Sequence, residues 1–258
     1  MDMDPTFLQT GFVVAFVFVA GLVDSIAGGG GLISLPVYFA AGLPAHNALA
    51  SNKFSSFMGT LTATYRYYRA GKIKIKLGLM AALGALIGSA CGSQTALYTD
   101  ERTINTLVLI LIPAVLVFFL LKDRIPGLKS KSEADVSWSH IKSFAIGSSI
   151  GFYDGFFGPG TGALLAIGFN FFLRMDLLSA SANARLANLA SNCGALIVFA
   201  ISGKVVFPLA LYAAAGGIAG NLIGSRLAIK KGERIIRPFM IGVLILLLAE
   251  VIRQRIMV

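Results

Sequence analysis

The chain has 258 residues, of which 56% are hydrophobic and only 13% are charged, and its mean hydropathy is +0.79. Soluble domains average about 25% charged residues, so this composition excludes a disordered chain and an ordinary soluble enzyme. It predicts a polytopic helical membrane protein. One span takes about 20 residues, so the length allows about ten spans and no soluble domain. The net charge of +10 comes from Lys and Arg in short loops, which is typical of membrane topology and not of a nucleic-acid-binding surface.

The first half begins with an apolar segment over 7–23. The acidic residues before it lack the basic character of a cleaved signal peptide, so we expect this segment to remain in the mature protein. It ends at Asp24 and a run of four glycines. A short apolar stretch over 32–43 follows, and three longer segments come next, at about 46–68, 75–97 and 103–121.

The second half repeats this order, with matching segments at 162–173, 178–201, 206–228 and 235–252. At an offset of 132 residues the Gly stripe 84, 88, 92 falls on 216, 220, 224, and Lys53 falls on Arg185. At an offset of 130, Asp24 falls on Asp154, and a second Gly-rich break follows. We interpret 1–121 as a first repeat, 122–140 as a polar cytoplasmic linker and 141–258 as a second repeat.

The loop charges predict opposite orientations for the two halves. If each half crosses the membrane an odd number of times, 16 of the 22 basic residues lie on one side and four on the other, whereas an even number divides them almost equally. The predicted fold is an all-α polytopic membrane protein with two inverted-topology repeats. Each repeat has a broken or re-entrant Gly-rich segment pair and three transmembrane helices, which makes eight to ten membrane segments in total. We expect the basic loops in the cytoplasm and both termini on the periplasmic or extracellular side.

The two Gly-rich breaks are the candidate binding site. They lack the Lys that a phosphate-binding P-loop requires, whereas interrupted segments at matching positions of two repeats are typical of transporter sites. Half-helix N-termini at such breaks present free N–H groups that attract anions; a purely structural tight turn is the alternative. The candidate residues here are Gly29, Gly30, Gly31, Gly160, Thr161 and Gly162.

Asp24 and Asp154 lie four residues before Gly28 and Gly158, respectively. Their carboxylates either cap the broken backbone or carry a coupling proton, because ionisable groups at membrane depth are usually functional. The sequence leaves both roles open.

Lys53 and Arg185 are the basic residues that fall well inside predicted spans, and Asn52 and Asn188 lie close to them in the sequence. A buried cation costs at least about 2.5 kcal/mol on insertion scales, so each needs a reason to be there. One interpretation has the two side chains snorkelling to the nearer surface or pairing with the aspartates. The other has them holding an oxyanion between them, with Arg making two parallel hydrogen bonds and Lys acting as a point charge.

The remaining motifs favour structure over chemistry. The two Gly stripes predict closely packed helices, and Cys91 and Cys193 are expected to be small buried thiols. His46 and His140 lie at segment ends, so we expect no Ser-His relay and no metal site. We therefore expect no enzyme activity and no cofactor.

The runs 21–31, 48–53, 151–162 and 224–226 carry a resemblance. At these residues the chain resembles the TauE/SafE family of anion transporters, also called the sulfite exporter or toluene-sulfonate uptake permease family, and the resemblance covers essentially the whole chain. It implies a carrier in the bacterial inner membrane that moves sulfite, sulfonates or related sulfur-containing organic anions. The expected partners are a small anionic substrate, the lipid bilayer and protons as a candidate coupling ion. A homo-oligomer, an anion channel and a membrane scaffold acting through a partner stay open as alternatives.

Overall fold

The computed structural model describes residues 7–100, 103, 136–236, 238, 239 and 242, and the regular structure in these ranges is α-helical. The predicted segment 103–121, most of 235–252 and most of the linker 122–140 lie outside the described residues. The helices are α1 (Phe7–Ala27), α2 (Gly31–Ala40), α3 (Ala45–Arg69), α4 (Ile75–Tyr98), α5 (Val136–Phe156), α6 (Thr161–Phe172), α7 (Leu177–Ile201) and α8 (Phe207–Lys231).

Two boundaries differ from the sequence prediction. The first and fifth helices do not end at Asp24 and Asp154 but continue for less than one turn, to Ala27 and Phe156. No Gly or Pro separates Asp24 from Ala27, so the helix continues until Gly28 interrupts it. Helix α5 also begins at Val136, inside the predicted linker.

Four of the described helices are long and apolar enough to cross a membrane, namely α1 from Leu8 onwards, α4, α7 and α8. Helices α2 and α6 are apolar but have only 10 and 12 residues. At 1.5 Å per residue they are about 15 to 18 Å long, which is shorter than the hydrocarbon core of about 30 Å. Each short helix therefore reaches only partway through a bilayer.

Many large apolar side chains are exposed on the outside of the bundle, whereas its interior contains many small and polar residues beside buried aromatic and aliphatic ones. Leu79, Leu83 and Ile87 on α4 are exposed, while Lys53 and Arg185 are almost completely buried. This distribution fits a lipid environment, where packing between helices depends on small residues and internal hydrogen bonds. The predicted burial of the cysteines is wrong for Cys91, which is exposed on α4, and Cys193 is only partly buried, because an apolar helix face turns to lipid as readily as to the interior.

The Gly stripes form two close helix contacts, between α4 and α5 and between α1 and α8. A Cβ atom added to Gly88 would collide with the backbone of Ser148, and one added to Gly220 would collide with the backbone of Phe18. The predicted close packing is thus confirmed. Contacts advance in the same direction along both members of each pair, so α4 runs parallel to α5 and α1 runs parallel to α8.

Helix α4 also fixes the directions of its neighbours. Its last turn lies at the start of α3, where His46 Nε2 is 3.1 Å from the carbonyl oxygen of Ala96, so α3 and α4 are antiparallel. Its Gly78 lies beside Asn183, and the later residue Leu86 lies beside Gly194, so α4 and α7 are parallel. The site described next lies between α3 and α7, which carry the buried residues Lys53 and Arg185.

The start of α7 and the segment after α8 lie at the same end of the bundle, because the Leu177 N–H donates to Glu233 Oε1 at 3.2 Å. The start of α3 and the connection between α7 and α8 lie at the other end, where Asn47 Nδ2 donates to the Lys204 carbonyl at 3.0 Å. We call the end that contains the start of α7 and the segment after α8 the basic end, because most of the charged side chains near its loops are cationic. These cationic residues are Arg66, Arg69, Lys72, Lys74, Lys76, Arg174, Arg226, Lys230, Lys231 and Arg234.

Candidate functional site

The two helix breaks touch each other inside the bundle. Gly28 and Gly158 have left-handed backbone angles, with φ of 84° and 103°, which side chains rarely adopt. The Gly28 carbonyl accepts a hydrogen bond of 3.1 Å from the N–H of Ala163 in α6. A Cβ atom at Gly28 would collide with the backbone of Gly162. The two breaks are therefore joined through their backbones into a single site.

Asp24 lies in the last turn of α1 and faces the first break. Its Oδ1 accepts a hydrogen bond of 3.3 Å from the Gly30 N–H, and 15% of its side chain remains exposed. The contact satisfies one of the backbone donors that the start of α2 leaves free.

Asp154 occupies the matching position in α5 and is held more completely. Its Oδ1 accepts a hydrogen bond of 2.7 Å from Thr161 Oγ1, and its Oδ2 accepts one of 2.5 Å from Ser191 Oγ. Only 3% of its side chain is exposed. Both oxygens of this carboxylate therefore have donors within the protein.

Each aspartate forms an ion pair with the cation from the opposite half. Lys53 Nζ lies 2.7 Å from Asp154 Oδ1, and Arg185 NH1 lies 2.8 Å from Asp24 Oδ2. The side chains of Lys53 and Arg185 are only 2% and 1% exposed, so they pair with the aspartates and do not snorkel. The guanidinium also donates to the Asp24 carbonyl at 2.8 Å. The two pairs link the halves to each other across the breaks.

The site has no formal net charge, because two cations face two carboxylates. Removing an isolated charge from water costs several kcal/mol, and an internal counter-ion offsets that cost only when the geometry is good. An additional anion would leave this site with an uncompensated negative charge. Binding one therefore requires that a carboxylate moves away or takes up a proton.

A cavity of about 20 Å³ lies between the breaks and the ion pairs. This volume has room for about one water molecule, so the described conformation leaves little free space at the site. The lining residues come from both halves: Asp24, Gly28, Gly31, Asn52, Lys53, Ser56, Asp154, Gly158, Thr161, Gly162, Asn188 and Asn192.

The sequence-predicted residues fall into two groups. Gly31, Thr161, Gly162, Asn52, Asn188 and Lys53 line the central cavity together with both aspartates. Arg185 lies directly behind the wall, since a Cβ atom at Gly162 would collide with its NH2. Gly29, Gly30 and Gly160 shape the breaks instead: Gly29 and Gly30 accept backbone hydrogen bonds from the first turn of α2, and Gly160 precedes α6 with φ of 80°.

Four further polar residues belong to the site and were absent from the predicted set. Ser191 holds Asp154, Ser34 donates to Asn52 Oδ1 at 2.6 Å, and Ser56 and Asn192 line the cavity. Helical spacing could have indicated two of them, because Ser56 follows Asn52 by four residues and Asn192 follows Asn188 by four.

Comparisons with known proteins agree with the architecture. The family model described as sulfite exporter TauE/SafE matches residues 13–251. A probable membrane transporter protein, ORF9, of Sinorhizobium sp is 34% identical over 244 residues, which is 95% of this chain and 92% of the relative. The probable membrane transporter protein YfcA of Escherichia coli K12 is 33% identical over 239 residues, or 93% of this chain and 87% of the relative. No solved structure matches the chain.

Proposed function

Because the chain belongs to the sulfite exporter TauE/SafE family of membrane transporters, we propose that it is a secondary transporter of small anions. The proposed substrates are sulfite, sulfonates or related sulfur-containing organic anions, carried across the bacterial inner membrane by alternating access. The proposal concerns the substrate class and the mechanism; the membrane location itself follows from the relatives and from the four apolar helices long enough to cross a bilayer.

Two ion pairs at the helix breaks support the proposal, because each joins a cation of one half to an aspartate of the other half. Lys53 and Arg185 supply two buried cations within a few ångströms of the first turns of α2 and α6. The N-terminus of a helix has a partial positive charge and N–H donors that suit an oxyanion. In the described part of the chain, the first-turn amides of Gly31 and Gly162 have no acceptor, and both glycines line the cavity.

Arg185 offers a further donor. Its NH1 is occupied by Asp24, while its buried Nε has no hydrogen-bond partner among the described residues. A guanidinium can bind a sulfonate or sulfite through two parallel N–H donors. We propose that the substrate anion takes the place of the Asp24 carboxylate on this group.

Helix directions support the inverted repeat that alternating access uses in many transporters. Since α4 is antiparallel to α3 and parallel to α7, the corresponding helices α3 and α7 run in opposite directions. The packing is also reciprocal, because α4 packs on α5 as α8 packs on α1. Rocking of one half against the other would break and re-form the crossed ion pairs.

We propose that the basic end of the bundle lies in the cytoplasm and that both termini lie outside it. The cytoplasmic loops of membrane proteins carry an excess of Lys and Arg. At the opposite end, near the connection between α7 and α8, the described residues include one basic residue, Lys204. Cysteine labelling at residues 72 and 231 tests this orientation, since both positions should react only from the cytoplasmic side.

Uptake into proteoliposomes tests the function. Sulfite, sulfoacetate, taurine and sulfate are offered in turn under an imposed pH gradient, and at least one should show saturable uptake and counterflow against preloaded substrate. Arg185→Lys retains the charge but loses the planar fork, so substrate affinity should fall, while Lys76→Met at an exposed position serves as the control. Flux that does not saturate would indicate a channel, and no flux of any anion would contradict the proposal.

A further inference from the structure

Asp24 faces a second cavity, which lies outside the central one. This cavity has a volume of about 20 Å³ and is lined mainly by the first half and α8: Val17, Ala20, Gly21, Asp24, Gly30, Ser34, Ser55, Ser56, Gly217 and Asn221. Asp24 and Ser56 line both cavities. Asp154 lines only the central cavity of the two. The Asp24 side chain therefore lies between the proposed substrate site and a separate cavity.

The second cavity has groups that can hold a water molecule next to Asp24. The buried Asn221 Oδ1 has no hydrogen-bond donor among the described residues, and its Nδ2 donates to the Gly217 carbonyl at 2.9 Å. The polar residues Ser34, Ser55 and Ser56 line the same space. A cavity of this volume accommodates about one water when it offers two to four polar partners. This arrangement places a water-sized space beside Asp24, apart from the central cavity.

The carboxylates of Asp24 and Asp154 accept different numbers of ion-pair and hydrogen-bond contacts, and protonation would disturb those contacts. Asp154 receives Lys53, Thr161 and Ser191, whereas the Asp24 side chain receives Arg185 and the long contact from the Gly30 N–H. Protonating Asp24 therefore disturbs fewer contacts. Its side chain is also the more exposed of the two, at 15% against 3%.

We propose that Asp24 is the proton-coupling group of the transporter. When an anion binds to Arg185, it displaces the Asp24 carboxylate, which takes up one proton from the second cavity. The anion then crosses the membrane with its negative charge compensated by the proton on Asp24. The inference rests on the proposed function of the site. No bond other than the O–H bond on Asp24 is formed, and the proton comes from bulk water through the cavity.

The surrounding charges set the direction of this coupling. Arg185 from α7 and Lys53 from α3 are the cations near Asp24, Tyr67 from α3 is close enough to interact with it, and Asp154 is the other anion of the site. The elements that contribute neutral groups are α2 with Ser34 and α8 with Asn221. Without substrate, these two cations balance the two carboxylates of the site. A bound anion compensates those cations and adds a negative charge beside Asp24, so proton uptake becomes favourable.

Methanesulfonate is a suitable probe, because a sulfonate remains ionised near neutral pH and carries no proton of its own. With wild-type protein in weakly buffered detergent solution, we expect about one proton to be taken up for each anion bound. In proteoliposomes, a gradient of one pH unit should support about a tenfold accumulation, since a tenfold proton ratio balances a tenfold substrate ratio.

Asp24→Asn imitates the protonated carboxyl and should separate exchange from coupling. The variant is expected to retain measurable methanesulfonate exchange that no longer depends on pH, and to lose gradient-driven accumulation. Asp100→Asn, at an exposed position near the end of α4, is the matched control and should behave as wild type.

The outcomes distinguish the inference from the proposed function. Exchange by wild-type protein without proton uptake, or gradient-driven accumulation by Asp24→Asn, would overturn the role of Asp24 and leave an anion transporter. If Asp24→Asn does not fold, the proton stoichiometry of the wild-type protein still decides between these cases. Absence of binding and exchange of methanesulfonate and of every other anion offered to the wild-type protein would contradict both.

Discussion

The Lys53–Asp154 and Arg185–Asp24 pairs occupy matching positions in the two repeats, yet their surroundings differ. Asp154 is enclosed and accepts from Lys53, Thr161 and Ser191. Asp24 accepts from Arg185 and the Gly30 N–H, is partly exposed and lines both cavities. The cations differ too, since Lys is a compact charge and Arg a planar fork. The comparison shows that two matching positions have different surroundings, one enclosed and one partly exposed. We propose that the first pair is a fixed contact between the halves and that the second can open.

The largest expected effect comes from removing the enclosed carboxylate. Asp154→Ala leaves the Lys53 ammonium buried without its counter-ion, and breaking a buried pair in this way costs about 3 to 5 kcal/mol. The free energy of unfolding in detergent micelles, measured with denaturant, checks this value. Combining Asp154→Leu with Lys53→Met removes both charges and should recover most of the loss. A double variant no more stable than Asp154→Ala would mean that the pair does more than neutralise Lys53.

The next prediction compares the matching glycines of the two breaks. A Cβ atom at Gly28 would collide with the backbone of Gly162, whereas one at Gly158 would lie 2.9 Å from Lys53 Nζ and 3.2 Å from the Asp154 carbonyl oxygen. Gly28→Ala should therefore cost about 2 to 4 kcal/mol, from left-handed strain and overpacking together, and more than Gly158→Ala. Gly42→Ala is the control, because Gly42 has nearly the same φ, 83°, with open space around it. Equal losses at Gly28 and Gly42 would show that only backbone strain matters.

Sequence patterns predicted the components of this site but not their arrangement. The offset of 132 residues related Lys53 to Arg185, and Gly-rich breaks marked the two interrupted helices, because repeats and breaks are local features of a sequence. Which aspartate pairs with which cation depends on how the halves interlock. Asp24 and Arg185 are 161 residues apart, and no local periodicity links them. The second cavity is lined by Asn221, whose counterpart at the same offset is Ser89. The sequence shows this difference, but only the packing of α8 on α1 shows that Asn221 lies in the same cavity as Asp24.

The third prediction concerns the more open pair. Asp24→Ala should cost about 2 to 3 kcal/mol, less than Asp154→Ala, because Arg185 retains its hydrogen bond to the Asp24 carbonyl and the partly exposed site admits water. Thermal unfolding of both variants in the same detergent compares them directly. A larger loss for Asp24→Ala would reverse the assignment of the fixed and the opening pair.

The smallest effect is expected at Ser191, the hydroxyl that the enclosed pair has and the open pair lacks. Ser191 Oγ donates to Asp154 Oδ2, and removing one hydrogen bond to a buried carboxylate costs about 1 to 2 kcal/mol when other donors remain. Lys53 and Thr161 still hold the other oxygen, Oδ1, in Ser191→Ala, so the protein should fold and the ion pair should persist. The informative measurement is then transport. If the three donors are what keep the Asp154 carboxylate fixed, Ser191→Ala should make proton-coupled accumulation depend on Asp154 as well as on Asp24. Asp154→Asn should then lower the accumulation more in the Ser191→Ala background than in the wild-type background. Strictly additive effects of the two substitutions would show that the third donor only adds stability.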